Sequence, residues 1–304
     1  MALPTLLSKR SLPTLLAVVA LAAGQAFAQD KPTQANDGFL TGLQGFEKFH
    51  EPLGQPLYFE SPFNDTGLRA LYLRHNFSDD STLQGGNVTI YALQARLALT
   101  ERLALIATKD GYSEFDSGII QDEGWNDLAA GLKYVLVADR ESQFALTPGI
   151  RYQAKNGHLG TLQGGVDEVS PFVSVAKGVD NVHFLGNATL RLPLDGDDGN
   201  TVGHWDLHCD FDLNPKSEAV VSPLLEVHGV HYLDDGASTL NVGGLDYTNL
   251  GSQPDASFVA WAGIGARLEI IKKYELGLCY EFALTDADED IMESRITVDF
   301  ITRW

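Results

Sequence analysis

Residues Ile291 to Trp304 read IMESRITVDFITRW. In steps of two, Ile296, Val298, Phe300, Thr302 and Trp304 fall on one side, and Arg295, Thr297, Asp299, Ile301 and Arg303 on the other. A period of two marks a strand, because successive side chains leave a pleated backbone on opposite faces. One face can meet lipid; the other carries two arginines and an aspartate. The stretch ends on an aromatic residue, which suits the last strand of a soluble sandwich or the closing strand of an outer-membrane barrel. The choice depends on whether the rest of the chain supplies matching strands in the right alternation.

Eleven further runs precede it. The segment HWDLHCDFDL sets Trp205, Leu207, Cys209, Phe211 and Leu213 against His204, Asp206, His208, Asp210 and Asp212. In the next-to-last run Leu276, Leu278, Tyr280 and Phe282 oppose Glu275, Gly277, Cys279 and Glu281. The others begin near Gly67, Asn87, Leu103, Trp125, Gln143, Val169, Asn181, Ala219 and Ala256. Their connections alternate between long (78–86, 112–124, 154–168, 193–203, 234–255) and short (101–102, 137–142, 178–180, 214–218, 271–273). A sandwich has no reason to alternate. A membrane barrel has tight periplasmic turns at one rim and longer loops at the other. Runs near 9–11 residues suit a tilted bilayer crossing. With no water in the bilayer every amide must pair within the sheet, so the sheet must close. The expected fold is all-β, a transmembrane antiparallel up-and-down barrel of about 12 strands over residues 67–304, in the outer membrane of a Gram-negative cell. Tyr91, Tyr152, Trp205, Tyr274 and Trp304 lie near strand ends, where interfacial aromatic girdles form.

The N-terminus reads as a signal peptide over residues 1–28. Lys9 and Arg10 precede the apolar Leu12–Ala23, and Ala26-Phe27-Ala28 is a cleavage site. The apolar run is too short to span a bilayer as a helix. Residues 29–66 have no clear period and are read as a periplasmic or lumen segment. Phe39 to Phe49 could form a short amphipathic helix, and Pro52, Pro56 and Pro62 favour extended chain after it. Cys209 and Cys279 fall on opposite faces of non-neighbouring strands, so two free thiols are expected.

The net charge is −20; losing Lys9 and Arg10 leaves 19 basic against 41 acidic residues, or −22. That excludes nucleic acid as a partner. Much of the acid sits in the long loops, at Asp79-Asp80, Asp195 to Asp198, Asp234-Asp235 and Asp286 to Asp290. These loops are solvated; they would favour cations or neutral solutes and could meet lipopolysaccharide through calcium. The DGDDGN run lacks the ligand spacing and terminal glutamate of a calcium loop.

The run Gly124-Trp125-Asn126-Asp127-Leu128-Ala129-Ala130-Gly131-Leu132-Lys133-Tyr134, the turn Thr100-Glu101-Arg102 and the segment PLYFESPFNDTGLR (Pro56 to Arg69) carry a resemblance. They resemble outer-membrane barrel proteins of the family associated with the meta-cleavage pathway of phenol degradation. The resemblance implies an outer-membrane location and passive transport, and supplies no catalytic residues.

The inward rows hold the candidate site. They carry Arg96, Lys133, Arg151, Arg191, Arg267, Arg74 and Arg295 as cations. Glu226, Glu275, Glu281, Asp299, Asp127 and Glu269 oppose them. The His204, Asp206, His208 and Asp210 row could share a divalent cation, with Glu226 or His228 helping, since alternate residues of a strand lie about 7 Å apart on one face. The blander reading, a hydrated lumen wall where charge costs little, carries more weight, so no metal, cofactor or catalytic residue is assigned. His231 points outward with no serine placed beside it and no G-x-S-x-G motif, so an enzyme is not expected. The expected function is a porin-like channel or transporter passing small solutes by diffusion through a charged lumen. Lipid modification and a closed structural barrel are the alternatives. Expected partners are outer-membrane lipids, lipopolysaccharide, a small solute and, through Trp304, the barrel-insertion machinery.

Overall fold

The computed structural model describes residues 38–237, 247–249, 257–286 and 292–304. The signal-peptide reading, residues 29–37 and parts of the last two acidic loops lie outside these. Twelve strands follow one another: β1 (Gly67–Asn76), β2 (Gly86–Ala98), β3 (Leu103–Lys109, resuming over Tyr112–Ser117) and β4 (Gln121–Trp125, Leu128–Tyr134 and Val137–Asp139). Then come β5 (Phe144–Ala154), β6 (Glu168–Val179), β7 (Val182–Pro193) and β8 (Thr201–Phe211). The last are β9 (Ala219–Asp234), β10 (Phe258–Ile270), β11 (Tyr274–Ala283) and β12 (Ser294–Arg303). Each pairs antiparallel with its neighbours in sequence. β12 also returns to β1, from Gly67 opposite Arg303 to Asn76 opposite Ser294. The sheet therefore closes and no edge is left for lipid to meet.

Three expectations change. Residues 112–124 are not a long loop. β3 and β4 extend through them as a paired ladder from Tyr112 opposite Trp125 to Asp116 opposite Gln121. The period of two breaks at Asp110-Gly111 and Asn126-Asp127, which hid the continuation. Gly111 has φ 101°, and a Cβ there would meet the Tyr91 carbonyl oxygen at 2.2 Å, so only glycine fits the kink. Second, Arg74 faces outward. The inner row of β1 is Arg69, Leu71, Leu73 and His75, and its two leucines join an apolar cluster in the lumen. Third, residues 39–49 form turns rather than a helix. Gly38, Gly42 and Gly45 all have positive φ, which a right-handed helix cannot accommodate.

The outer surface carries an apolar belt. Leu93, Leu132, Ile150, Leu207, Leu225, Ile264, Leu278 and Phe300 are exposed there, with Tyr91, Tyr134, Tyr152 and Trp304 among them. Water would penalise such a surface; lipid does not. Belt and closed barrel together make this an outer-membrane protein. Leu225, midway along β9, is 61% exposed. Leu225→Arg is expected to destabilise the barrel by about 2–4 kcal/mol, the cost of a cation near the bilayer midplane. Urea unfolding in lipid vesicles measures it. Ser222→Arg on the same strand is no control, because Ser222 faces inward and is buried.

Both cysteines are free, Cys209 on the outer row of β8 and Cys279 on the inner row of β11.

Candidate functional site in the barrel interior

Residues 50–64 run through the lumen without forming a strand. The chain rises from the rim of short turns, the periplasmic rim in such barrels, reverses near Gln55 to Tyr58, and descends to β1. Phe59 N donates to the Gln55 carbonyl (3.0 Å), and Gln55 takes φ 52° at the bend. Pro52 and Pro62 lie on the two limbs, while Pro56, expected to favour extended chain, sits in the turn itself. An extended segment with no partner strand has backbone groups to satisfy, and the charged rows of the wall satisfy them.

Cations take the carbonyls. Arg267 Nε donates to Glu51 O (2.5 Å), and Arg69 and Arg267 both reach Pro52 O (2.9 and 3.1 Å). Arg151 donates to Tyr58 O (3.2 Å) and Lys133 to Ser61 O (2.8 Å). Neutral donors add Gln94 to Pro56 O (2.8 Å), Ser174 to Glu60 O (2.6 Å) and Thr147 to Pro62 O (2.7 Å). Carboxylates take the amides: Glu226 accepts from Leu53 N (2.9 Å) and Gly54 N (2.5 Å), and Glu281 from Gln55 N (3.3 Å). Gly54 lets the segment approach this closely: a Cβ would lie 2.6 Å from both Glu226 Oε2 and His228 Nε2 and would push the Glu226 carboxylate off the backbone amides.

The same wall groups pair with one another, as buried charges must. Arg267 grips Asp299 through two 2.8 Å bonds, and Arg69 adds a third contact at 2.6 Å. Arg295 holds Glu281 (2.6 and 2.7 Å). Glu275 pairs with Arg303, and Arg267 lies 3.3 Å away. His208 bridges Glu226 (2.6 Å) and Asp210 (2.8 Å), and His228 bonds Asp206 (2.8 Å). His204 Nδ1 meets Gln55 Nε2 (2.9 Å). Arg96 reaches Glu51 (2.9 Å), Glu60 (2.7 Å) and Asp65 (3.2 Å). The lumen wall is therefore dry against the segment rather than hydrated, a correction to the sequence reading with a simple cause. The charges face a second backbone instead of water.

Glu51 and Glu60 lie on the inner segment, outside the membrane-spanning strands. Burial pushes both carboxyls up, but Arg96, with Lys133 for Glu60 and Arg303 for Glu51, outweighs it and holds both below the ordinary glutamate value of 4.5. Groups with depressed values contribute stability that is complete above 4.5 and is lost as pH falls beneath it. The segment should therefore loosen in acid. Bilayer recordings are expected to show more frequent openings below about pH 4.5 than at neutral pH.

The segment's apex is clasped. Tyr58 OH bonds Glu168 (3.1 Å), its ring stacks on His204 (4.9 Å), and the Arg191 guanidinium lies 4.6 Å from the ring centroid. Glu168 also takes Arg191 Nε (2.8 and 3.0 Å) and the side-chain amide of Asn249 (2.9 Å). Asn249 belongs to the long β9–β10 connection, whose residues 247–249 fold inward; Tyr247 O accepts from Lys109 and Gln163 (both 3.0 Å). The lumen is thus filled from both ends, and they meet at Glu168. Above the apex an apolar cluster including Leu57, Leu71, Leu73, Phe115 and the fully buried Trp261 completes the seal. The space left beside Tyr58 and Arg151 is about 10 Å³, room for at most one water.

Sequence reasoning missed Arg69, Lys109, Glu168 and His183, and the partners His50, Glu51 and Glu60. His183 was within reach, since it shares the parity of Asn187 and Arg191 on the inward row of β7; Arg69 was not, because the sequence reading sets Arg74, of the opposite parity, on the inner side of β1. Glu168 was placed in a loop because β6 alternates weakly. His50, Glu51 and Glu60 lie on a stretch with no period to read. His231, on the outer face, accepts from the Trp205 indole (3.3 Å) and stacks on Phe258 (4.4 Å); neither is a nucleophile.

No protein family and no curated protein matches the chain by sequence. Solved structures are similar in fold. An outer membrane channel from Pseudomonas putida F1 aligns with a TM-score of 0.55 and 15% identity, covering 84% of this chain and 100% of its own. The NanC porin aligns with a TM-score of 0.50 and 9% identity, covering 79% of this chain and 100% of its own. At these identities the likeness is one of fold.

Proposed function

We propose that the protein is an outer-membrane channel closed by its own N-terminal segment, passing small solutes by diffusion when that segment leaves the lumen. The observation that carries this reading is the way residues 50–62 are held. They share no strand ladder with the wall: Leu53, Leu57 and Phe59 pack on apolar wall residues, and the polar contacts run through side chains to backbone and to charge. Such contacts can be exchanged for water one by one, whereas the twelve-strand ladder stays closed without them. Once vacated, the lumen would present mixed charge, and selectivity would follow from its width and field. The similarity of fold to a porin and to an outer membrane channel supports transport. The resemblance of Gly124–Tyr134 to the meta-pathway barrels makes small aromatic acids a class to include among solutes.

The test is liposome swelling with sugars, amino acids and aromatic acids, alongside planar-bilayer recording of the full chain. Discrete openings and size-limited swelling are expected. A barrel silent under all conditions would instead be structural, and lipid hydrolysis abolished by His231→Ala would establish an enzyme. If the lumen field sets selectivity, Asp206→Asn with Asp210→Asn should move the reversal potential toward anions; an unchanged potential would refute that role.

A further inference from the structure

We infer that the protein has a divalent-cation site joining the inner segment to the wall, formed by His50, His183, Asp210 and Asp212. His50 is on the inner segment; His183 opens β7, Asp210 is near the end of β8, and Asp212 lies just beyond it. All four are buried, and one donor atom of each lies within 4.8 Å of the others. Two imidazoles with two carboxylates form a donor set suited to Zn²⁺ or a similar first-row ion.

The rings already face the carboxylates. Each ring has one nitrogen on a carboxylate and one bare. His50 Nε2 lies 2.8 Å from Asp212 Oδ1 and 2.9 Å from Ser222 Oγ, while its Nδ1 has no hydrogen-bond partner. His183 Nδ1 lies 2.7 Å from Asp210 Oδ1, while its Nε2 has none. His50 and His183 are 1% and 0% exposed, so water does not serve those nitrogens from bulk. The donors that converge are therefore His50 Nε2, His183 Nδ1 and the two carboxylates they already face; an ion there takes the place of the protons those close pairs share, and each ring's other nitrogen is left to carry its N–H. Tetrahedral donors about 2.1 Å from zinc sit about 3.4 Å apart; side-chain rotation closes the difference. The second oxygen of Asp210 is bonded to His208 Nε2 (2.8 Å), which orients that carboxylate in turn.

Three ligands stand on the wall and one on the segment, so the ion would clamp the segment in place. A cation binding only the plugged state at a hundred times its dissociation constant lowers the open fraction about a hundredfold. The clamp rests on the channel reading above; the site itself does not.

The experiment has two arms, both on the full-length barrel. In detergent, Co²⁺ titration should give one equivalent of a tetrahedral d–d band, displaced by Zn²⁺. The band should be lost in His183→Ala and in His50→Gln, each checked for the heat-modifiable gel shift of a closed barrel, and kept in His231→Ala. No saturable band, or a band surviving both substitutions, overturns the site. In bilayers, Zn²⁺ should reduce openings at least tenfold in the wild type and leave His183→Ala unaffected. An equal response in both overturns the clamp. A barrel silent even with chelator overturns the clamp together with the channel reading, and the Co²⁺ arm then judges the site alone.

Discussion

Deleting residues 38–62 is expected to convert a mostly closed barrel into one that conducts steadily. The barrel should survive, because its closure runs from Gly67 opposite Arg303 to Asn76 opposite Ser294 and involves none of the deleted residues. The deletion uncovers Arg267, Arg151, Lys133, Glu226 and Glu281, all buried in the plugged state. In water those side chains lose the carbonyls and amides they served but gain hydration, so exposing them costs far less than stranding them dry. The measurement is single-channel current, after a heat-modifiable gel shift has established the closed barrel. A deleted protein that inserts and stays silent would mean that Trp261 and the apolar cluster around it, not the segment, close the lumen.

Glu226→Ala should produce the same opening through one side chain. Its carboxylate accepts from Leu53 N, Gly54 N and His208 Nδ1 at 2.9, 2.5 and 2.6 Å. Alanine strands two backbone amides in the plugged state but not in the open one, where water reaches them. Removing one partner from such a buried network costs about 3–5 kcal/mol, so the plugged-to-open ratio should fall by roughly 10²–10⁴. Gly54→Val attacks the same contact from the other side, since its Cβ would fall 2.6 Å from Glu226 Oε2. Open probability at neutral pH reads out both, and values unchanged from wild type in both would show that the segment is held elsewhere.

The strand rows were readable because parity is local. In HWDLHCDFDL each residue's face follows from its neighbours two positions away, and β8 sets His204, Asp206, His208 and Asp210 on its buried row. Parity failed where the backbone kinks, at Asp110-Gly111, and where an inner row turns apolar, as at Leu71 and Leu73. There an apolar inward row and an apolar lipid-facing row look alike, and Arg74 was drawn to the wrong side.

By itself the sequence determined the closed barrel, its strand number, the alternation of turns and loops except at residues 112–124, and which side chains of most strands share a face. These follow from short-range periodicity and from the bilayer's demand that every amide be paired. Only the tertiary structure decided what the inner charges are for. Leu53 meets Glu226 across 173 positions of chain, and His50 meets Asp212 across 162. The segment making those contacts bonds to side chains instead of a neighbouring strand, so it carries no repeat from which its position could be read. A charged inner row looks the same whether it faces water or a second backbone, and the difference lies in the space between strands.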